Sequence, residues 1–131
     1  MVYLHWGKEM KTQPAQYQKN IARSLIDAGA DLVVGSHPHI IQGLEFYKGG
    51  LIAYSLGNLV FTNSSRETMV LDVSFSGQEI SEAYVVPCII KSSKTLLVKD
   101  DQKKQDFLYK LNMLSPNVLI HEDGGLEQKG L

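Results

Sequence analysis

Four histidines are the residues of this 131-residue chain best suited to chemistry, and three of them sit where strand-forming runs end. His5 closes the run Val2-Tyr3-Leu4 and precedes Trp6-Gly7, while His37 and His39 flank Pro38 just beyond Leu32-Val33-Val34-Gly35. Imidazole nitrogens suit zinc, manganese or iron. Residues i and i+2 of an extended chain face the same way, and proline biases the residue before it toward extended conformations. The tripeptide His37-Pro38-His39 is therefore expected to aim two imidazoles at one ion or at two adjacent ions. Gly7 and Gly35 are expected to let the backbone approach a ligand closely. His121, beside Glu122 and Asp123, reads as solvated surface.

The histidines converge only if the two runs are neighbours. Gln13-Pro14-Ala15 is expected to open a helix with the proline in its first turn. Ala15, Ile21, Ala22, Leu25 and Ile26 would face inward and Gln18, Lys19, Arg23 and Asp27 outward, with Gly29 as the C-terminal cap. A strand, this helix and the buried run at 31–35 form a βαβ unit with parallel pairing. Both strand ends then lie on one rim of the sheet, where open α/β folds gather ligands.

Further along, residues 40–47 read as a strand, Lys48-Gly49-Gly50 as a turn and residues 51–54 as the return strand. Met69, Leu71, Val73 and Phe75 alternate with mostly polar neighbours, as in a half-buried strand. Ser76-Gly77-Gln78 turns the chain into residues 80–90, where Pro87 implies an edge strand or a bulge. Residues 94–98 are ambiguous. Asp100 or Asp101 is expected to cap a last helix with Phe107, Leu108, Leu111 and Leu114 inward, followed by the short run Val118-Leu119-Ile120. The class is α/β with an antiparallel portion (α+β), in one domain.

Lys+Arg total 13 against Asp+Glu 14, so charge gives no reason to expect nucleic acid or an anionic membrane as partner. A 44% hydrophobic share argues for a packed chain, and one cysteine excludes an internal disulfide. No apolar run reaches the roughly 18–20 residues of a membrane span, and no signal segment or anchor is expected in this chain. Among other candidates, Glu9 could accept an imidazole N–H or be a plain loop carboxylate. Asn58, in Tyr54-Ser55-Leu56-Gly57-Asn58, could contact a ligand or simply make a turn. Ser55 lacks a nucleophile-elbow context, Cys88 reads as a buried small hydrophobe, and Asn63-Ser64-Ser65 fits a glycosylation pattern.

Three blocks together closely resemble the bacterial capsule-synthesis CapA family, the poly-γ-glutamate biosynthesis proteins also called PgsA. They are His5-Trp6-Gly7-Lys8-Glu9, the stretch Gly29-Ala30-Asp31-Leu32-Val33-Val34-Gly35-Ser36-His37-Pro38-His39, and Tyr54-Ser55-Leu56-Gly57-Asn58. The resemblance implies a calcineurin-like metallophosphoesterase fold, mixed β-sheets flanked by helices. Residues 1–131 would be a single partial domain, the C-terminal portion of that fold, with 1–92 the best-matching region. It also implies a centre for divalent manganese, iron or zinc ions, which would polarise a phosphoryl oxygen and generate a hydroxide nucleophile. Carried over residue by residue, His5, His37 and His39 are metal ligands, and His5 and His37 act in catalysis; Glu9 and Asn58, read from their own positions, are expected to support cofactor binding.

The superfamily's Asp-rich first strand, second Asp and Asn-His pair belong upstream of His5-Trp6-Gly7. The centre is thus expected to be incomplete here and the isolated chain inactive. The resemblance further implies an anionic polyglutamate or phosphoester substrate, other capsule-synthesis proteins as partners, and an extracytoplasmic, membrane-associated place for full-length members. Exposed sheet edges would favour a homo-oligomer. Two other readings stay open: a non-catalytic binding or assembly module, and a small mononuclear zinc hydrolase using the three histidines.

Overall fold

The buried apolar runs set the centre of the molecule. In the computed structural model, which describes residues 1–60 and 65–130, β1 (Val2–His5) and β2 (Leu32–Ser36) pair in parallel, with Val2 opposite Val33 and His5 opposite Ser36. Helix α1 (Gln16–Asp27) makes the crossover, so the expected βαβ unit forms. On the other side of β2 lies β4 (Gly50–Ala53), again parallel; β3 (Leu44–Tyr47) pairs antiparallel with β4 at the far edge. Lys48 and Gly49 link the last two with φ of 49° and 84°, the paired positive values that suit a tight hairpin. Side chains alternate across this sheet. Val33 and Ile52 pack with Ala22 and Ile26 of α1, while Leu32, Val34 and Leu51 face the other layer.

That second layer is an antiparallel meander of β5 (Arg66–Ser76), β6 (Glu79–Lys91) and β7 (Lys94–Leu97), followed by helix α2 (Asp101–Leu114). Asp100 caps α2, its carboxylate accepting from the Lys103 N–H at 2.8 Å. Phe107, Leu108 and Leu111 pack with Leu44, Ala53, Met69 and Val85, and the closing hairpin of β8 (Val118–Ile120) and β9 (Leu126–Gln128) adds Val118 and Ile120 to that core. The fold is α+β, as the sequence implies. The asparagine of the glycosylation pattern, Asn63, lies outside the described residues.

Several local expectations change. Pro14 precedes the helix, because Ala15 is its N-cap. On α1 the buried face is Gln18, Ala22 and Ile26, while Ile21 is exposed. Gln18 can go inside because its carboxamide is satisfied, accepting from Ala15 N–H at 2.8 Å and donating to Gln42 at 3.0 Å. Gly29 does close the helix, at φ 99°; its N–H bonds Ile26 O and that of Ala30 bonds Leu25 O, a Schellman arrangement. β3 starts only at Leu44, although backbone bonds from Gln42 N–H to Ser55 O and from Tyr54 N–H to Gly43 O carry the antiparallel pairing on to a bridge between Ile41 and Leu56. Phe75 is exposed because the β5–β6 register shifts between Ser74 and Phe75. Residues 94–97 are a strand. Pro87 lies in the central strand of the meander, not at an edge; the β7 ladder ends one pair before it, and its carbonyl still accepts from Val98 N–H at 3.1 Å.

Gly35 has a different role from the one expected. The Trp6 indole N–H crosses β2 at this residue and donates to the Tyr54 carbonyl at 2.9 Å; a Cβ on Gly35 would overlap both atoms. Gly7, at φ 85°, packs close to Gln18 and Pro38. Gly35→Ala should therefore cost roughly 2–4 kcal/mol in urea unfolding. Gly77→Ala, in an open turn at φ 64°, should cost about 1 kcal/mol. Equal losses would contradict this packing.

Candidate metal centre

Parallel strands β1, β2 and β4 end on the same rim, and each hands a candidate residue to it. His5 is the last residue of β1, His37 and His39 follow β2, and Asn58 lies five residues beyond β4. Glu9 comes from the loop joining β1 to α1. That loop is fastened along its length: Trp6 N–H bonds Ser36 O at 3.0 Å, Met10 N–H bonds Pro38 O at 2.9 Å, and the buried Gln42 donates to Lys11 O at 2.8 Å. The buried Gln18 holds Gln42 in turn. This glutamine pair was not among the candidates. Its only sequence signal is a polar residue set in Ile40-Ile41-Gln42-Gly43-Leu44.

Glu9, His37 and His39 each offer a ligand atom within 4.8 Å of the other two. His39 Nε2 lies 3.9 Å from a Glu9 carboxylate oxygen, and its Nδ1 lies 2.9 Å from Asn58 Oδ1. An amide oxygen only accepts, so this pair puts a proton on His39 Nδ1; in the neutral tautomer the lone pair is then on Nε2, on the side of Glu9. His5 stands beside the triad: its ring centroid is 4.5 Å from that of His37, and its Nδ1 is 3.4 Å from Ser36 Oγ. His37 and His39 have ring centroids 5.8 Å apart.

The convergence does not come from an extended tripeptide. His37 and His39 have φ of 98° and 63°, a region that side chains other than glycine adopt only under constraint. Pro38 between them is buried against the Gly7 turn, which supplies that constraint.

Two imidazoles and a carboxylate form a donor set that fits a divalent cation of the zinc, manganese or iron kind. The amide nitrogen of Asn58 is buried without a hydrogen-bond partner among the described residues, so the site has a polar atom that a ligand would satisfy. Other candidates fall elsewhere. His121 pairs with Glu127 at 3.1 Å on the surface. Ser55 is buried and donates to Ile40 O, and burial pushes the Cys88 thiol up, away from thiolate chemistry.

Residues 1–63 match the family described as Bacterial capsule synthesis protein PGA_cap. This first part of the chain is similar to that capsule synthesis family. All five rim residues, His5, Glu9, His37, His39 and Asn58, fall inside the matched segment. Among capsule-family relatives, the chain is 36% identical over 108 residues to the "PGA biosynthesis protein CapA" of Bacillus subtilis, covering 80% of this chain and 28% of that protein. It is 49% identical over 61 residues to the "Capsule biosynthesis protein CapA" of Bacillus anthracis, 47% of this chain and 15% of that one. A "Probable polyglutamine synthesis accessory protein" of Mycobacterium tuberculosis is 37% identical over 60 residues, 46% of this chain and 16% of the relative. The chain thus spans less than a third of each of these relatives.

The Asn58 contact predicts a single His39 tautomer. Nitrogen-detected NMR above the imidazole titration should find Nδ1 protonated and Nε2 bare. Asn58→Ala should yield a mixture in which the Nε2–H form gains. An unchanged tautomer would show that Asn58 does not set it.

Proposed function

We propose that this chain is a metal-binding portion of a metallophosphoesterase-like protein of capsule or poly-γ-glutamate assembly. The observation that carries the reading is the Glu9–His37–His39 convergence within family-matched residues. Glu9, His37 and His39 would hold the ion, with His5 alongside and Asn58 fixing the His39 tautomer. A bound divalent ion supplies Lewis acidity toward a phosphoryl oxygen and acidifies a coordinated water. The chain's own residues add an exposed imidazole, His5, that can exchange a proton with a substrate, and the Asn58 amide N–H as a donor. The names of the relatives support an accessory place in capsule or polyglutamate synthesis at the cell surface, with other capsule-synthesis proteins as partners.

A two-metal centre needs carboxylates between its ions, and Glu9 is the one carboxylate in this triad. We therefore read the chain as a part of such a centre and expect no phosphoester turnover from it alone. No helix among the described residues is long and apolar enough to cross a membrane. The outer edge of β1 carries no strand among the described residues and is where a further strand or a second copy would pair. One observation favours a second reading, a mononuclear zinc hydrolase: two histidines and a glutamate are a catalytic zinc ligand set, here with Glu9 in place of the expected His5.

Calorimetric titration with zinc and manganese should find binding that His37→Ala and His39→Ala each weaken by about 10-fold or more, while His121→Ala leaves it unchanged. Manganese-loaded chain should not hydrolyse p-nitrophenyl phosphate. Absence of metal binding would overturn the proposal, and turnover with one zinc per chain would replace it with the hydrolase reading.

A further inference from the structure

A groove of about 580 Å³ runs beside the triad, lined chiefly by Met10, Ile40, Ile41, Tyr109, Met113 and Leu114. Its position follows from the chain: Met10 is next to Glu9 and Ile40 is next to His39, so residues adjoining the triad form one wall. The other wall is the outer side of α2. Tyr109 and Met113, four residues apart and so on one stripe of the helix, are each 68% exposed. Helix α2 thus presents two apolar sides, Phe107, Leu108 and Leu111 to the core and Tyr109 and Met113 to this groove.

Charge at the groove is uneven. Lys110 is paired with Glu67 at 3.0 Å. Arg66 has no ion-pair partner among the described residues; its guanidinium donates to the thioether of Met10 at 3.2 Å, a weak acceptor. Among the described residues, Arg66 is thus a cation without an ion-pair partner where the groove meets the loop carrying Glu9. The volume lies within the range of small-molecule sites, about 300–1,000 Å³, and two methionines let such a wall adapt to an apolar chain of variable shape.

We propose that this groove binds the apolar body of an amphipathic phosphate, an alkyl or aryl phosphoester whose anionic head lies toward Arg66 and the Glu9–His37–His39 triad. The head-group assignment rests on the phosphoester reading above; the apolar subsite rests on the groove alone. A purely hydrophilic phosphate would leave the methionine and tyrosine surface uncovered. Glu67, the carboxylate lining the groove, is already paired with Lys110, which leaves Arg66 to meet an anionic head.

The test uses the whole chain, calorimetry, and three probes: methyl phosphate, octyl phosphate below its micellar concentration, and octanol. Octyl phosphate should bind about 10-fold or more tightly than methyl phosphate. Met113→Asp and, independently, Tyr109→Lys should each remove most of that preference while leaving zinc affinity unchanged; both positions are exposed, so folding is not at stake. Arg66→Gln should weaken octyl phosphate several-fold and leave octanol unaffected. Equal binding of methyl and octyl phosphate would overturn the inference. So would a preference that survives both α2 variants, or a chain that dimerises through this face and takes up no octyl phosphate. If the alkyl preference holds but no metal binds, the metallophosphoesterase reading falls and the apolar subsite stands. If metal binds and the alkyl chain adds nothing, the subsite alone falls.

Discussion

The indole of Trp6, laid across the bare Cα of Gly35 to reach the Tyr54 carbonyl, is the contact on which the rim of the sheet depends. It joins the chain leaving β1 to the chain leaving β4, with β2 held between them. Losing the donor would strand a buried carbonyl, at a cost of about 1–3 kcal/mol. The tie continues outward. Tyr54 donates its hydroxyl to Glu45 at 2.7 Å, and Glu45 accepts from Arg23 of α1 at 2.8 Å. Burial, followed by the Glu45 carboxylate, raises the Tyr54 phenol well above its usual range, so it remains a neutral donor. The same carboxylate raises the Arg23 guanidinium. Helix and three parallel strands are thereby fixed against one another at the end where the histidines emerge.

A second fastening acts on the loop that carries Glu9. Gln18 and Gln42, both fully buried, bond each other and the backbone at Ala15 and Lys11. Each buried carboxamide would be costly if unpaired, so the pair specifies one arrangement of the loop. His37 and His39 carry positive φ in the turn set between these fastenings. A rim held this firmly can keep two histidines in an unfavourable backbone region, and that is what turns their side chains and the Glu9 carboxylate toward one another.

Much of this was readable from local pattern. The apolar runs, the helix between them and the parallel pairing that puts His5 and His37 on one rim follow from periodicity and connection rules. The Schellman end at Gly29 and the Asp100 cap follow from residue type. What was hidden depends on partners distant in sequence. Gln18 looks solvent-facing until Gln42, twenty-four residues away, satisfies it. Gly35 looks like a ligand-approach glycine until Trp6 and Tyr54 arrive from either side. Pro87 sits in a central strand, at the end of the β7 ladder. The outer stripe of α2 was overlooked because the inward stripe accounts for the helix on its own.

The most direct measurement of the central claim is anomalous diffraction from crystals of the chain grown with zinc. A peak should lie among Glu9, His37 and His39, about 2.0–2.2 Å from their ligand atoms, with the His39 ring bound through Nε2 and still bonded to Asn58 through Nδ1. Zinc found only at other sites, such as His121 with Glu127, would contradict the account.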